Sequence, residues 1–171
     1  MDRSALYYCP ECDREHEETS EIAASSRCPV DGSQLFKLPE GLSPGVVIDG
    51  RYTILRPLGQ GGMGIIFQAE HHATRQRVAV KLISALGDDD IAVRRFFREA
   101  KASTRIVHPG VVEVYDFGQT PDGRPYMVME IIDGEPLDEL LAREGALDPH
   151  RAAHIAGEIA SAAFLHWWRS P

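Results

Sequence analysis

Leu58-Gly59-Gln60-Gly61-Gly62-Met63-Gly64-Ile65-Ile66-Phe67, followed at a short distance by Val78-Ala79-Val80-Lys81, decides how this chain folds. Gly59, Gly61 and Gly64 have the G-x-G-x-x-G spacing, which several nucleotide-binding folds share. The flanks separate those folds. In a dinucleotide-binding fold the glycines close a strand and open a helix, and the phosphate sits on the helix N-terminus. Here Arg51-Tyr52-Thr53-Ile54-Leu55 precedes the glycines and Ile65-Ile66-Phe67-Gln68-Ala69-Glu70 follows them. Both runs carry the β-branched and aromatic residues of strands. The pattern predicts strand, glycine turn, strand, and then a third strand ending on Lys81.

Working outward, composition divides the chain into zones. Residues 1–36 hold all three cysteines and an acid-rich run from Glu11 to Glu21. Residues 37–50, with Pro39, Pro44, Gly41, Gly45 and Gly50, read as a linker. From Arg51 the pattern is dense, with strand-like segments near 52–58, 64–70, 77–83, 111–117 and 126–131. A helix is predicted from about Asp89 to Ile106. Its acids (Asp88, Asp89, Asp90) come first and its basic residues (Arg94, Arg95, Arg98, Lys101, Arg105) later, which suits the helix dipole. Two more helices are predicted, over Leu137–Glu144 and His150–Trp168, the second with Asp148 as N-cap and Pro149 at the first helical position.

Bulk properties exclude several classes. Apolar residues make up 43% of the 171-residue chain and charged residues 26%, the balance of an ordinary globular domain. A net charge of −8 with no basic patch argues against a nucleic-acid partner. No apolar run reaches the length of a membrane span and the N-terminus lacks a signal-peptide layout, so a cytoplasmic location is expected. Three cysteines, an odd number, do not make a disulfide framework.

Three strands, a helix, two strands and then helices is the element order of a protein-kinase N-lobe running into its C-lobe. With the glycine motif and Val78-Ala79-Val80-Lys81, residues 51–168 resemble a bacterial eukaryotic-like serine/threonine protein kinase. The resemblance implies an α+β fold, with a five-stranded antiparallel N-lobe sheet plus one helix over residues 51–132. The hinge exit and first C-lobe helices would occupy 133–171. The implied reaction is γ-phosphoryl transfer from MgATP to protein hydroxyls, so ATP with Mg is the implied cofactor and a protein substrate or signalling partner is implied too.

The resemblance also assigns residues. Leu58, Gly59, Gly61, Gly64 and Ile66 would cover the nucleotide, because glycines let backbone N–H groups approach phosphates closely. Ala79 would pack on adenine, and Lys81 would neutralise the α- and β-phosphates. Glu99, in Phe96-Phe97-Arg98-Glu99-Ala100, corresponds to the helical carboxylate that holds this lysine. Helical spacing puts Phe96, Glu99, Ala100 and Ser103 on one core-facing side, where a lone charge is costly and a lysine partner explains it. By the resemblance, Lys81 and Glu99 would be the catalytic pair. In Tyr126–Gly134, Met129 would be the gatekeeper, with the carbonyl of Glu130 and the N–H of Ile132 on the adenine edge. His108, before Pro109, reads as a structural hydrogen-bonding residue.

No His-Arg-Asp loop occurs in these 171 residues, and the tripeptide Asp116-Phe117-Gly118 stands ahead of the hinge and not after such a loop, so the family's base and magnesium ligands are not in place. Catalysis by this chain alone is therefore not expected. The alternative reading is a non-catalytic adaptor or pseudokinase-like binding module. Ile155, Ile159, Ala163, Phe164 and Trp167 recur at helical spacing with nothing after them to cover them, so self-association through this helix is expected.

The cysteine zone resembles a zinc ribbon. Cys9-Pro10-Glu11-Cys12 and Cys28-Pro29-Val30-Asp31-Gly32 look like two knuckles, each offering two ligands from a tight turn. The step from Cys12 to Cys28 lies in the zinc-ribbon range of about 15–20 residues. Zn is the expected metal, held by Cys9, Cys12, Cys28 and Asp31, with His16 as the other candidate for the fourth position. So short a zone has little core of its own, and metal would supply most of its folding energy.

Overall fold

A computed structural model describes residues 5–61, 64–83, 90–104 and 108–169. The N-terminal zone forms β1 (Leu6–Cys9), β2 (Arg14–Glu17), a short helix α1 (Ser20–Ser25) and β3 (Phe36–Lys37). These strands make a three-stranded antiparallel sheet in the order β2-β1-β3. Helix α1, which local pattern did not predict, is capped by the Thr19 hydroxyl accepting from the Ile22 N–H at 3.2 Å and buries Ile22.

The second sheet contains β4 (Val47–Ile48), β5 (Tyr52–Gly61), β6 (Gly64–His71), β7 (Arg77–Ile83), β8 (Val114–Gln119) and β9 (Pro125–Met129). Its order is β4-β5-β6-β7-β9-β8, antiparallel throughout. The expected five strands are joined by a sixth, because Val47 and Ile48 pair with Thr53 and Tyr52. Strand β8 starts three residues later than predicted. The Val111 N–H bonds the His108 carbonyl at 3.0 Å, so the chain is still turning there. Helix α2 (Asp90–Ser103) lies between β7 and β8, and α3 (Leu137–Glu144) and α4 (Pro149–Arg169) follow β9. The Asp148 carboxylate caps α4 as predicted, accepting from the N–H of His150 at 2.9 Å and of Arg151 at 3.3 Å.

Residues 37–50 are not a free linker. Their glycines make turns with positive φ at Gly41 and Gly45, and between the turns Leu38, Leu42 and Ile48 are buried. These three pack into one core with Ile54, Ile65, Phe67, Val78, Val80, Leu82, Tyr126 and Val128. Each such aliphatic side chain contributes about 1.5–3 kcal/mol on burial. The segment is therefore a cover over one face of the large sheet, and prolines and glycines here shape the cover.

Strand alternation joins the two sheets. Tyr8, with Leu6 partly buried beside it, belongs to the core of the large sheet. Tyr7 and Cys9 belong to a separate core with Ile22, Cys28 and Leu35. One short strand thus has a face in each core, as a period of two requires.

His108 has the structural role expected of it. Its Nδ1 accepts from the Gly110 N–H at 3.0 Å, and its Nε2 is 3.1 Å from the Ser161 hydroxyl of α4. On α4, Ile159 is exposed and Ile155 half-buried, while the side chains of Phe164 and Trp167 lie outside the described residues. No helix among the described residues is long and apolar enough to cross a membrane.

Candidate functional site

Register decides which predicted residues meet. Ile66 stands opposite Lys81, Lys81 opposite Met127, and Ala79 opposite Met129. Residues directly opposite in an antiparallel pair share a face. Ile66, Ala79, Lys81 and Met129 therefore lie on one face of the sheet. The alternate residues Ile65, Val78, Val80, Leu82 and Val128 fill the covered core on the other. An irregularity in pairing between Pro57 and Gly59 brings Gly59, not Leu58, opposite Ile66. Such bulges re-aim a strand at its end. Leu58 stays at the flank, partly exposed.

The glycines differ in why they are glycines. Gly64 has φ 145°, a backbone conformation that other residues rarely adopt. Gly59 and Gly61 have no positive φ, and a Cβ on either would meet nothing within 4 Å. This chain's own packing does not demand glycine at 59 or 61. Gly62 and Met63 lie outside the described residues.

Helix α2 packs beside the sheet through Ala100, which is buried, and Phe97, whose ring is 5.9 Å from that of Phe117. Glu99 is a residue of α2, but its side chain lies outside the described residues, as does its expected pairing with Lys81. At the end of β9 the Glu130 N–H donates to the Glu113 carbonyl at 3.0 Å, and the Glu130 carboxylate accepts from the Glu113 N–H at 2.7 Å. Glu130 was expected to matter only through its backbone carbonyl. Its side chain also holds the strand end from which Ile132, exposed, projects beyond the sheet.

Local pattern also missed a polar network across the strand ends. The Arg51 guanidinium donates to Asp49 and Asp116, each at 2.6 Å. The Tyr126 hydroxyl donates to Asp49 at 2.8 Å and the Tyr52 hydroxyl to Asp116 at 2.8 Å. The bonds from Arg51 and then Tyr126 hold the Asp49 carboxyl below its ordinary range. Burial, then the Asp49 bond, pushes the Tyr126 phenol up to about 12. This network ties the turn before β5 to β8 and β9, and Tyr126 pairs with Leu82, so it lies on the face of the sheet opposite Lys81.

The four donors named in the cysteine zone come together. Donor atoms of Cys9, Cys12, Cys28 and Asp31 all lie within 4.8 Å of one another. The Cys12 and Cys28 sulfurs are 3.8 Å apart, and the Asp31 oxygens lie 3.4 and 3.7 Å from the Cys9 sulfur. A tetrahedron built on Zn–S bonds of ~2.3 Å has edges of about 3.8 Å, slightly shorter toward an oxygen ligand. A disulfide needs ~2.05 Å, and these thiols are free.

The two knuckles are equivalent in backbone. The Asp13 N–H bonds the Cys9 carbonyl at 3.1 Å, and the Gly32 N–H bonds the Cys28 carbonyl at 2.9 Å. Asp13 and Gly32 both have positive φ. Asp31 therefore occupies in the second turn the place of Cys12 in the first. His16 Nε2 is 3.6 Å from Cys28 and 4.0 Å from Cys12, beside the group and not within it. Ser33 steadies Asp31, donating through its N–H at 2.9 Å, and its hydroxyl and N–H bonds keep the carboxyl ionised well below its ordinary range. Burial, then the neighbouring Cys9 and Cys28 sulfurs, pushes the Cys12 thiol up to about 12. Crowded sulfurs of this kind are what a divalent cation relieves.

Comparison with known proteins bears on the first site. The protein kinase domain family matches residues 52–168. Serine/threonine-protein kinase PknH of Mycobacterium tuberculosis is 41% identical over 114 residues, which are 66% of this chain and 18% of that protein. Serine/threonine-protein kinase PrkC of Bacillus subtilis is 39% identical over 116 residues, 67% of this chain and 18% of that one. The crystal structure of the M. tuberculosis PknI kinase domain superposes with a TM-score of 0.68 at 32% identity, covering 76% of this chain and 52% of that domain. The matched region is thus under a fifth of these two curated relatives, and half of that kinase domain.

Proposed function

The chain belongs to the protein kinase family, with bacterial serine/threonine kinases among its relatives, and from that premise we propose that residues 51–132 are the half of a kinase that binds MgATP. The observation that carries this reading is the register that puts Ile66, Ala79, Lys81 and Met129 on one face, with the opposite face closed by residues 37–50. Small Ala79 leaves room for a flat base, and Ile66 and Leu58 close over it. Lys81 neutralises phosphate charge, and Glu99 orients Lys81. The backbone of Glu130 and Ile132 meets the base edge. The nucleotide supplies the γ-phosphoryl group, and the acceptor is a protein hydroxyl. The His-Arg-Asp loop that supplies the base is missing from these residues, and their one Asp-Phe-Gly, at 116–118, is part of β8 with Asp116 bonded to Arg51 and Tyr52, so transfer needs the family's base and magnesium ligands in addition.

Titration of the isotopically labelled 171-residue chain with MgATP tests the reading. Shifts are expected at Gly59, Gly61, Gly64, Lys81 and Ile132, and little at Val80 on the covered face. Absence of shifts at millimolar MgATP, or shifts confined to the covered face, overturns it.

The proposal includes a structural zinc ion on Cys9, Cys12, Cys28 and Asp31, in a zinc-ribbon-like module over residues 1–36. The equivalence of Asp31 and Cys12 in the two knuckles supports Asp31 over His16 as fourth ligand. A thiolate site of this kind suits a reducing, cytoplasmic setting. Elemental analysis of chain purified with zinc supplied should find about one zinc per chain, and none overturns the assignment.

A further inference from the structure

Gln60 stands between the first two glycines of the turn, and its side chain is tied to the cysteine module. The Gln60 Oε1 accepts from the Lys37 N–H at 3.0 Å, and the Gln60 Nε2 donates to the Lys37 carbonyl at 3.0 Å. A side-chain amide that takes both backbone groups of one residue does what a neighbouring strand would do. Lys37 is the last residue of β3, where it pairs with Tyr7 of β1. Tyr7 in turn shares a core with Cys9 and Cys28, two of the clustered sulfur donors. Leu35 belongs to that same small core while Leu38 belongs to the large one, so β3 is fixed at both ends. From the sulfur cluster to the glycine turn the path is continuous: Cys9, Tyr7, Lys37, Gln60.

The weak link is the small core. It has five buried members, Tyr7, Cys9, Ile22, Cys28 and Leu35, and two of them are cysteines. A core of that size does not hold three short strands in place without a further tie. The geometry points to metal occupancy of the cysteine cluster as the control on the glycine turn: with the cation bound, β3 is ordered and Gln60 is held, and with it removed Gln60 loses its anchor. Gln60 is then a positioning residue for nucleotide, acting through Gly59 and Gly61. By linkage, nucleotide and cation each strengthen the binding of the other. This rests on the zinc and nucleotide readings given above, and adds a coupling that neither contains.

Hydrogen exchange on the whole 171-residue chain, zinc-loaded and chelator-stripped, tests the coupling, with zinc content measured on every sample. Stripping should speed exchange at Lys37 and at residues 58–61 by about tenfold, the worth of two partly exposed hydrogen bonds. Amides of Val80, Leu82 and Val128 should not change. In zinc-loaded Gln60→Ala the turn should exchange as fast as in stripped wild type while β1 and β2 keep their protection, and stripping should then add nothing at 58–61. Gln60→Glu keeps the acceptor for the Lys37 N–H and loses the donor, so it should fall between the two. Stoichiometric zinc with exchange at 58–61 indifferent to stripping overturns the coupling alone. So does a Gln60→Ala variant whose turn still responds to zinc as wild type does. A chain that binds no zinc overturns the zinc reading and the coupling together, and the metal analysis separates that result from the others.

Discussion

Tyr8 and Cys9 are adjacent on β1, are exposed by only 1% and 0%, and are buried in two different cores. The Tyr8 ring packs with the large sheet, while the Cys9 sulfur faces Cys28 and Asp31. The cysteine module and the large sheet therefore share a strand.

Tyr8→Ala should destabilise the chain by about 3–5 kcal/mol, the usual cost of deleting a buried aromatic ring. Tyr8→Phe removes only the bond to Asp13 and should cost about 1 kcal/mol. Thermal unfolding followed by circular dichroism measures both. An unchanged Tm for Tyr8→Ala contradicts the shared strand.

At the metal, Asp31→Ala should weaken zinc binding by about a hundredfold or more, beyond the 10–100-fold that loss of an outer partner usually costs. His16→Ala should change it little. Asp31→Cys completes four sulfurs at the position equivalent to Cys12 and should tighten it. Competition with a chromophoric chelator reads all three, and a reversed order for Asp31→Ala and His16→Ala moves the fourth ligand to His16.

On the nucleotide face, Lys81→Met should weaken MgATP binding by about tenfold to a hundredfold, the worth of a charge-assisted contact. Ala79→Phe should abolish it, because Ala79 is already buried and a ring there fills the space for a base. Chemical-shift titration gives the affinities, and unfolding curves show whether each variant still folds. MgATP binding by folded Ala79→Phe equal to wild type removes Ala79 from the site.

The Arg51 network predicts an acid limb in stability. Asp49 has its carboxyl pKa lowered from 3.8 in the folded chain, by Arg51 first and Tyr126 second. A carboxyl depressed on folding stabilises the fold above the unfolded value, and that contribution is lost as pH falls through the folded value. Asp49→Asn should therefore lower Tm at pH 6, and the gap to wild type should close below about pH 4. A gap constant with pH assigns the effect to shape and not to charge.

How much of this was legible in sequence depends on the range of the contact. Strands β5, β6 and β7, the glycine turn, α3 and the Asp148 cap were readable, because alternation and capping are local and β-branched runs declare themselves within a few residues. The knuckles were readable for the same reason: two donor side chains on one tight turn lie within four positions. Residues 37–50 misled, because proline and glycine mark turns whether or not the residues between them are buried.

Local pattern was enough for most of the elements and the chemistry they carry: a lysine in the third strand of the large run, glycines between strands, thiols at knuckle spacing. What those elements touch was settled by long-range packing. Gln60 meets Lys37 across 23 residues, Arg51 meets Asp116 across 65, and Glu130 meets Glu113 across 17. No periodicity records such pairs, since each depends on where sheet order and register bring two distant backbones together. Tyr7, Tyr8 and Cys9 look like one apolar run in sequence, and strand alternation gives that run two faces. Folding then placed a different core on each, because the cover over the large sheet and the knuckles closed on β1 from opposite sides.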